Sequence, residues 1–179
     1  MTLTEIANKY NCDKGTKAYE AHGYTEEYAK YIPQEGKYTL LEIGVWHGDS
    51  LRMWKEYNPE LEIYGMDIDP NADRYMSIGD PITLIGDATD AEFLNMVLGI
   101  SGTPDFVIDD GSHRHEDISA SFKYLYPKLK ERGYYFIEDL HAPQATREDL
   151  LFEIGRLFPN APPLPFELKC NAKLLIIQK

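Results

Sequence analysis

Basic side chains are scarce in this chain. Its 18 lysines and arginines stand against 30 aspartates and glutamates, a formal net charge of −12 over 179 residues. No clustered run of Lys and Arg offsets that balance, so a phosphate backbone meets repulsion and nucleic-acid binding is disfavoured. An anionic membrane surface is disfavoured on the same grounds. Long apolar runs are missing too, since none approaches the roughly 20 residues that span a bilayer. The start, Met1-Thr-Leu-Thr-Glu-Ile, has neither the basic region nor the apolar stretch of a secretion signal, so the expected compartment is the cytoplasm. In that setting Cys12 and Cys170, the two cysteines, are expected as reduced thiols. Repeats and low-complexity tracts are absent. What is present, 43% hydrophobic and 27% charged residues, is the composition of an ordinary globular protein, long enough for one domain with a real core.

Along the chain, residues 3–9 and 24–32 have helical spacing, the second with Tyr24, Tyr28 and Tyr31 on one face. Short apolar runs follow at Thr39–Val45, Glu62–Met66, Ile82–Ile85, Phe106–Ile108 and Tyr134–Ile137. Helical spacing lies between most of them, at Ser50–Tyr57, Ala91–Leu98 and Ser119–Lys130. Strand and helix in alternation predict an α/β fold, a parallel sheet with helices on both faces. The end differs: "FELKC-NA-KLLIIQK" reads as two antiparallel strands around an Asn171-Ala172 turn, preceded by the Pro-rich loop "PNAPPLP".

Three strand ends carry chemistry. The first runs into "LLEIGVWHGDSLRMW", where Gly44 and Gly48 flank a tight turn that lets a ligand approach the backbone, and Ser50 opens a helix. The spacing departs from G-x-G-x-x-G, so the pyrophosphate seat of a dinucleotide site is missing. The second ends at "IYGMDIDP", with Asp67 19 residues after Gly48 and Asp69 as its rival. An acid there accepts hydrogen bonds from ribose hydroxyls. The third ends at "LIGDATD", with Asp87 at the edge of an adenine. Each acid could equally cap the helix after its strand.

In this order, "LLEIGVWHGDS", "IYGMDIDP" and "LIGDATD" resemble the class I S-adenosylmethionine-dependent methyltransferases. The resemblance implies a Rossmann-like, seven-stranded, mostly parallel sheet with a C-terminal antiparallel hairpin. It implies that Glu42, Gly44 and Gly48 surround the methionine part of the cofactor, with Ser50 also in the cofactor site, that Asp67 holds the ribose, and that Asp87 and Ala88 border the adenine.

The stretch "VIDDGSHRHED" ends the fourth run and "GYYFIEDLH" the fifth. Carboxyl ends of adjacent parallel strands face one crevice, so Asp110, Glu138 and Asp139 are placed to converge. A hard divalent cation such as Mg²⁺ would relieve their repulsion. His113, in a turn made tight by Gly111, is suited to take a proton from a hydroxyl whose pKa that cation lowers. The bland readings are that Asp109, Asp110 and Ser112 cap the helix starting near Glu116, and that Glu138-Asp139 is a solvated strand end. His115 reads as an exposed loop residue, and Asp109, Glu116 and Asp117 are left to capping and solvent.

"IDDGSHRHEDISASFKYLYPKLKERGYYFIEDLH" and "NKYNCDKGTKAYEAHGYTEEYAKYI" resemble the metal-dependent sugar O-methyltransferases of natural-product tailoring, the mycinamicin and rhamnosyl types. The cephalosporin-pathway enzymes share the pattern. That resemblance implies Mg²⁺ ligation by Asp110, Glu138 and Asp139, with Asp110 also beside the cofactor, and His113 as base. It implies an N-terminal lid, residues 1–36 with Tyr24 and Thr25 over the cofactor, on a core of residues 37–179, the whole a single domain. His22, Tyr28 and His141 are open between ligand contact and structural roles. The extra N-terminal domain of some members has no counterpart here, so their assembly is not carried over, and a homo-oligomer stays open. The expected function is methylation of a sugar or glycoside hydroxyl by S-adenosyl-L-methionine with Mg²⁺. The alternatives are a catechol-type methyltransferase, a non-catalytic module binding cofactor or carbohydrate, and a nicotinamide oxidoreductase.

Overall fold

The computed structural model describes residues 1–72, 79, 81–140, 154–156, 166–170 and 173–179. Strand β1 (Thr39–Ile43) is buried at every position, as a strand covered on both faces must be. It pairs in parallel with β2 (Glu62–Asp67) on one side and β4 (Phe106–Asp109) on the other. Strand β3 (Ile82–Ile85) extends the first side and β5 (Tyr134–Ile137) the second, again in parallel. Strand β7 (Leu174–Gln178) then runs antiparallel to both β5 and β6 (Phe166–Lys169). The seven-stranded order is β3-β2-β1-β4-β5-β7-β6, mostly parallel with the expected reversed pair at its end. The Asn171-Ala172 turn and the "PNAPPLP" loop lie outside the described residues.

Alternation along the strands sorts side chains into two cores. Leu40, Phe106, Ile108, Phe136 and Ile176 point to one face, where they meet α1 (Leu3–Lys9), α2 (Thr25–Tyr28) and α3 (Asp49–Tyr57) through Ile6, Tyr28 and Trp54. Leu41, Ile43, Val107, Tyr135, Ile137 and Ile177 point to the other, under α4 (Ala91–Ser101) and α5 (His115–Leu125) through Leu94, Val97 and Phe122. The first 36 residues therefore share a core with the sheet rather than resting on its rim.

Several boundaries differ from the sequence expectations for local reasons. Strand β1 stops at Ile43 because Gly44 turns the chain at φ +89°. Helix α2 covers only Thr25–Tyr28, and Pro33 lies at the end of the turns that continue it. Helix α5 begins at His115, ahead of Ser119, with Glu116 and Asp117 in the first turn where acids favour a helix start. It gives way at Tyr126–Lys128 to a 3₁₀ turn, because Pro127 offers no backbone donor. Both cysteines are free thiols. Among the described residues no helix is long and apolar enough to cross a membrane.

Candidate active site

The chain runs outward through β1, β2 and β3, then returns across the sheet to β4. At that reversal the connections after β1 and β4 lead to opposite faces of the sheet, the position where open α/β sheets bind ligands. A crevice of about 460 Å³ opens there, lined by the ends of β1, β2 and β4, by the start of α3 and by residues 11–14 of the N-terminal segment.

One half is the β1–α3 turn with the acids after β2 and β3. A Cβ on Gly44 would lie 2.0 Å from the Asp110 carbonyl oxygen, so only glycine lets the β1 and β4 ends come together. Gly48, at φ +76°, is the N-cap of α3. Ser50 is in the first turn and lines the crevice, beside the Glu42 carboxyl. Asp67 lines the crevice, where Oδ2 accepts the amides of Val45 (2.8 Å) and Trp46 (2.9 Å) and Oδ1 accepts that of Asp69. Asp69 also lines the crevice, and its Oδ1 accepts the Asn71 amide (2.9 Å). Asp87 accepts the backbone and hydroxyl of Thr89, which hold its carboxyl below the usual range. It does not cap α4, a role taken by Asp90. Ala88 lies beside Asp87 on the wall.

The other half gathers Asp110, His113 and Asp139, whose ligand atoms lie within 4.8 Å of one another. His113 Nε2 is 4.0 Å from both Asp110 Oδ1 and Asp139 Oδ2. His113 itself, not Gly111, adopts the left-handed conformation of this turn (φ +58°). Asp139 (φ +55°) and Trp46 (φ +46°) on the same walls do likewise, and strain of this kind concentrates at working sites. Glu138 points beneath the group and is 1% exposed. Its Oε1 accepts the Tyr28 hydroxyl at 2.5 Å and faces Lys14 Nζ at 3.1 Å. Tyr24 is fully buried and donates to Asp139 Oδ1 (2.6 Å), while Thr25 pairs with the Thr4 hydroxyl. His22 Nδ1 lies 3.5 Å from Asp139 Oδ1. His141 lies outside the described residues.

Asp109 is not a solvent-facing cap. It is 4% exposed and accepts Ser121 Oγ (2.6 Å) and the Tyr135 hydroxyl (3.2 Å), and burial raises its pKa. The period-2 alternation from Val107 would have placed it inward had β4 been carried one residue further. His115 is likewise not a loop residue but the first, half-buried residue of α5.

The residue that sequence reasoning missed is Lys14. It is 1% exposed, and its ammonium touches Asp110 Oδ2 (2.5 Å), Glu138 Oε1 (3.1 Å) and Glu42 Oε1 (3.3 Å). Burial acts to lower its pKa, but Asp110, Glu138 and Glu42 outweigh it and hold the ammonium well above its usual range. Burial also raises the pKa of all three carboxyls around it. The carboxylates of Asp110 and Asp139, with His113 beside them, offer the oxygen donors that suit a hard divalent cation.

A family model described as "Methyltransferase domain" matches residues 41–140. The mycinamicin VI 2''-O-methyltransferase of Micromonospora griseorubida is 37% identical over 147 residues, 77% of this chain and 36% of that protein. The 8-demethyl-8-alpha-L-rhamnosyl tetracenomycin-C 2'-O-methyltransferase of Streptomyces olivaceus is 34% identical over 148 residues, 77% of this chain and 37% of that protein. Among solved structures, the MycE methyltransferase of the mycinamycin biosynthetic pathway, in complex with Mg, SAH and mycinamycin VI, superposes with a TM-score of 0.76. It is 29% identical, over 100% of this chain and 54% of that one. The chain thus spans little more than a third of the curated relatives' length.

Proposed function

The chain belongs to the methyltransferase-domain family, and on that premise we propose that it is an S-adenosylmethionine-dependent, Mg²⁺-dependent O-methyltransferase acting on a sugar or glycoside hydroxyl. The observation that carries this reading is the sign of the crevice wall. Asp67, Asp87, Asp110 and Asp139 line it at the ends of β2, β3, β4 and β5. Lys14, the one Lys or Arg on the described wall, already faces three carboxylates. Such a wall attracts a cofactor carrying sulfonium and ammonium charges and repels the pyrophosphate of a dinucleotide. Trp46 and Ile68, each 70% exposed on that wall, offer apolar cover for an adenosine. The Mg and SAH bound in MycE and the rhamnosyl acceptor named for the tetracenomycin enzyme support the metal and the sugar.

In this proposal Asp67 holds the ribose, and Asp87 and Ala88 border the adenine. Gly44 and Gly48 keep the turn clear for the methionine part, with Glu42 and Ser50 beneath it. Asp110 and Asp139 would hold the cation from the crevice, with Glu138, buried beneath them, as the third carboxylate. When bound, S-adenosylmethionine supplies an electrophilic methyl group and Mg²⁺ lowers the pKa of the acceptor hydroxyl. His113 Nε2, 4.0 Å from both Asp110 Oδ1 and Asp139 Oδ2, takes the hydroxyl proton. The crevice holds acceptor oxygen and methyl group together, which supplies much of the rate.

The test is methyl transfer to a panel of glycosides and catechols with Mg²⁺ present. His113→Ala is expected to lose about 10²–10⁴-fold in turnover while SAH and Mn²⁺ still bind. Asp139→Asn is expected to lose metal affinity as well. Tight NAD binding without S-adenosylmethionine binding would overturn the reading. SAH binding with no Mg²⁺-dependent turnover on any diol would point instead to a binding module.

A further inference from the structure

We propose that Lys14 and Tyr24 of the N-terminal segment are positioning residues, which select the oxygen that Asp110 and Asp139 each turn toward a divalent cation. The proposal rests on the metal-dependent reading above. Asp110 follows β4 and Asp139 follows β5, and each carboxylate has two oxygens of equal chemistry. In both, one oxygen is taken from behind. Lys14 Nζ lies 2.5 Å from Asp110 Oδ2, and the Tyr24 hydroxyl donates to Asp139 Oδ1 over 2.6 Å. The other oxygens, Asp110 Oδ1 and Asp139 Oδ2, are the two that face His113 Nε2.

The segment that carries these groups is built to hold them still. His22 N donates to Asp13 O (2.7 Å), Gly23 N to Gly15 O (2.8 Å) and Thr25 N to Lys14 O (3.2 Å), closing residues 13–25 on themselves. His22 stacks on Tyr24 with ring centroids 5.2 Å apart and approaches the same Asp139 oxygen. Lys14 and Tyr24 are essentially fully buried, and Tyr24 lies outside the crevice lining. A hydroxyl committed to Asp139 from a buried ring does the work of a second layer of ligands rather than that of a lid over the cofactor.

Groups that hold metal ligands from behind govern affinity, and their loss weakens binding about 10- to 100-fold. The experiment compares wild type, Tyr24→Phe and Lys14→Met in two titrations: Mn²⁺ followed by electron paramagnetic resonance, and SAH followed by calorimetry on metal-free protein. Tyr24→Phe removes one hydroxyl and is expected to weaken Mn²⁺ about 10- to 100-fold while SAH affinity stays. Lys14→Met also removes a positive charge beside the ligands, which by itself favours Mn²⁺, so the neutral Tyr24→Phe change is the decisive one. Should Lys14→Met fail to fold by circular dichroism, Tyr24→Phe alone carries the test. Equal Mn²⁺ affinity in wild type and Tyr24→Phe overturns the proposal. So does a loss of SAH affinity with Mn²⁺ unchanged, which would make Tyr24 part of a cofactor lid. Absence of Mn²⁺ binding in wild type overturns the metal-dependent reading itself, and the proposal with it.

Discussion

At the scale of single residues, the crevice depends on one missing side chain. Gly44 turns at φ +89° with the Asp110 carbonyl oxygen 2.0 Å from where a Cβ would stand. Gly44→Ala therefore adds backbone strain of about 1–3 kcal/mol to a collision that only separation of the β1 and β4 ends can relieve. That separation moves Asp110. The expected result is a lowered Tm together with loss of Mn²⁺ binding. Gly99 provides the contrast, since it lies within α4 with nothing within 4 Å of an added Cβ. Gly99→Ala is expected to stabilise by about 0.5–1 kcal/mol, because alanine loses less freedom in a helix. Denaturant unfolding of both variants checks the pair, and a stabilised Gly44→Ala would show that the close approach is not obligatory. Gly44 was legible because a turn glycine after an apolar run signals such an approach. Lys14 was not, because its contacts with Asp110 join residues 96 positions apart. From sequence it is one lysine in a polar loop, and only the fold makes it the centre of a carboxylate cluster.

Among elements, α1 shows how the first turns of the chain are tied to the sheet. Thr2 and Glu5 form a capping box at its start, and Leu3, Ile6 and Ala7 enter the core. At its far end Lys9 Nζ (2.5 Å) and the Tyr10 hydroxyl (2.6 Å) both donate to Glu56 Oε2 on α3. The hydrogen bond from Lys9, then that from Tyr10, holds the Glu56 carboxyl below its ordinary value of 4.5. Folding thus favours the charged form. The stabilisation is present above pH 4.5 and is lost as pH falls through the lower folded value. Glu56→Gln is expected to melt below wild type at neutral pH, with the gap closing in acid. Thermal scans from pH 7 downward check this, and a gap that widens in acid would reverse the assignment. Strands and long helices were readable from periodicity, because buried parallel strands are nearly continuous apolar runs and α4 repeats cleanly. Their ends were less so. Helix α5 starts four residues before its apolar spacing does, on the charges of Glu116 and Asp117 rather than on packing.

For the molecule as a whole, a net charge of −12 raises the question of what a divalent cation does to stability. Two effects compete. Any salt relieves the mutual repulsion of so many carboxylates, and that screening depends on ionic strength alone. A cation held by Asp110, Glu138 and Asp139 acts differently, because it binds the folded chain and not the unfolded one. At 100 times its dissociation constant such a ligand adds about 2.7 kcal/mol, which for a chain of this length raises Tm by roughly 5–10 °C. MgCl₂ is therefore expected to raise Tm well beyond NaCl of equal ionic strength, and EDTA to reverse the rise. Asp139→Asn should keep the NaCl response and lose the excess, since it removes a ligand and barely alters the net charge. Equal shifts from the two salts would mean that screening is the whole effect. Measured by thermal unfolding without cofactor or acceptor, the comparison separates a built cation site from a generally acidic surface.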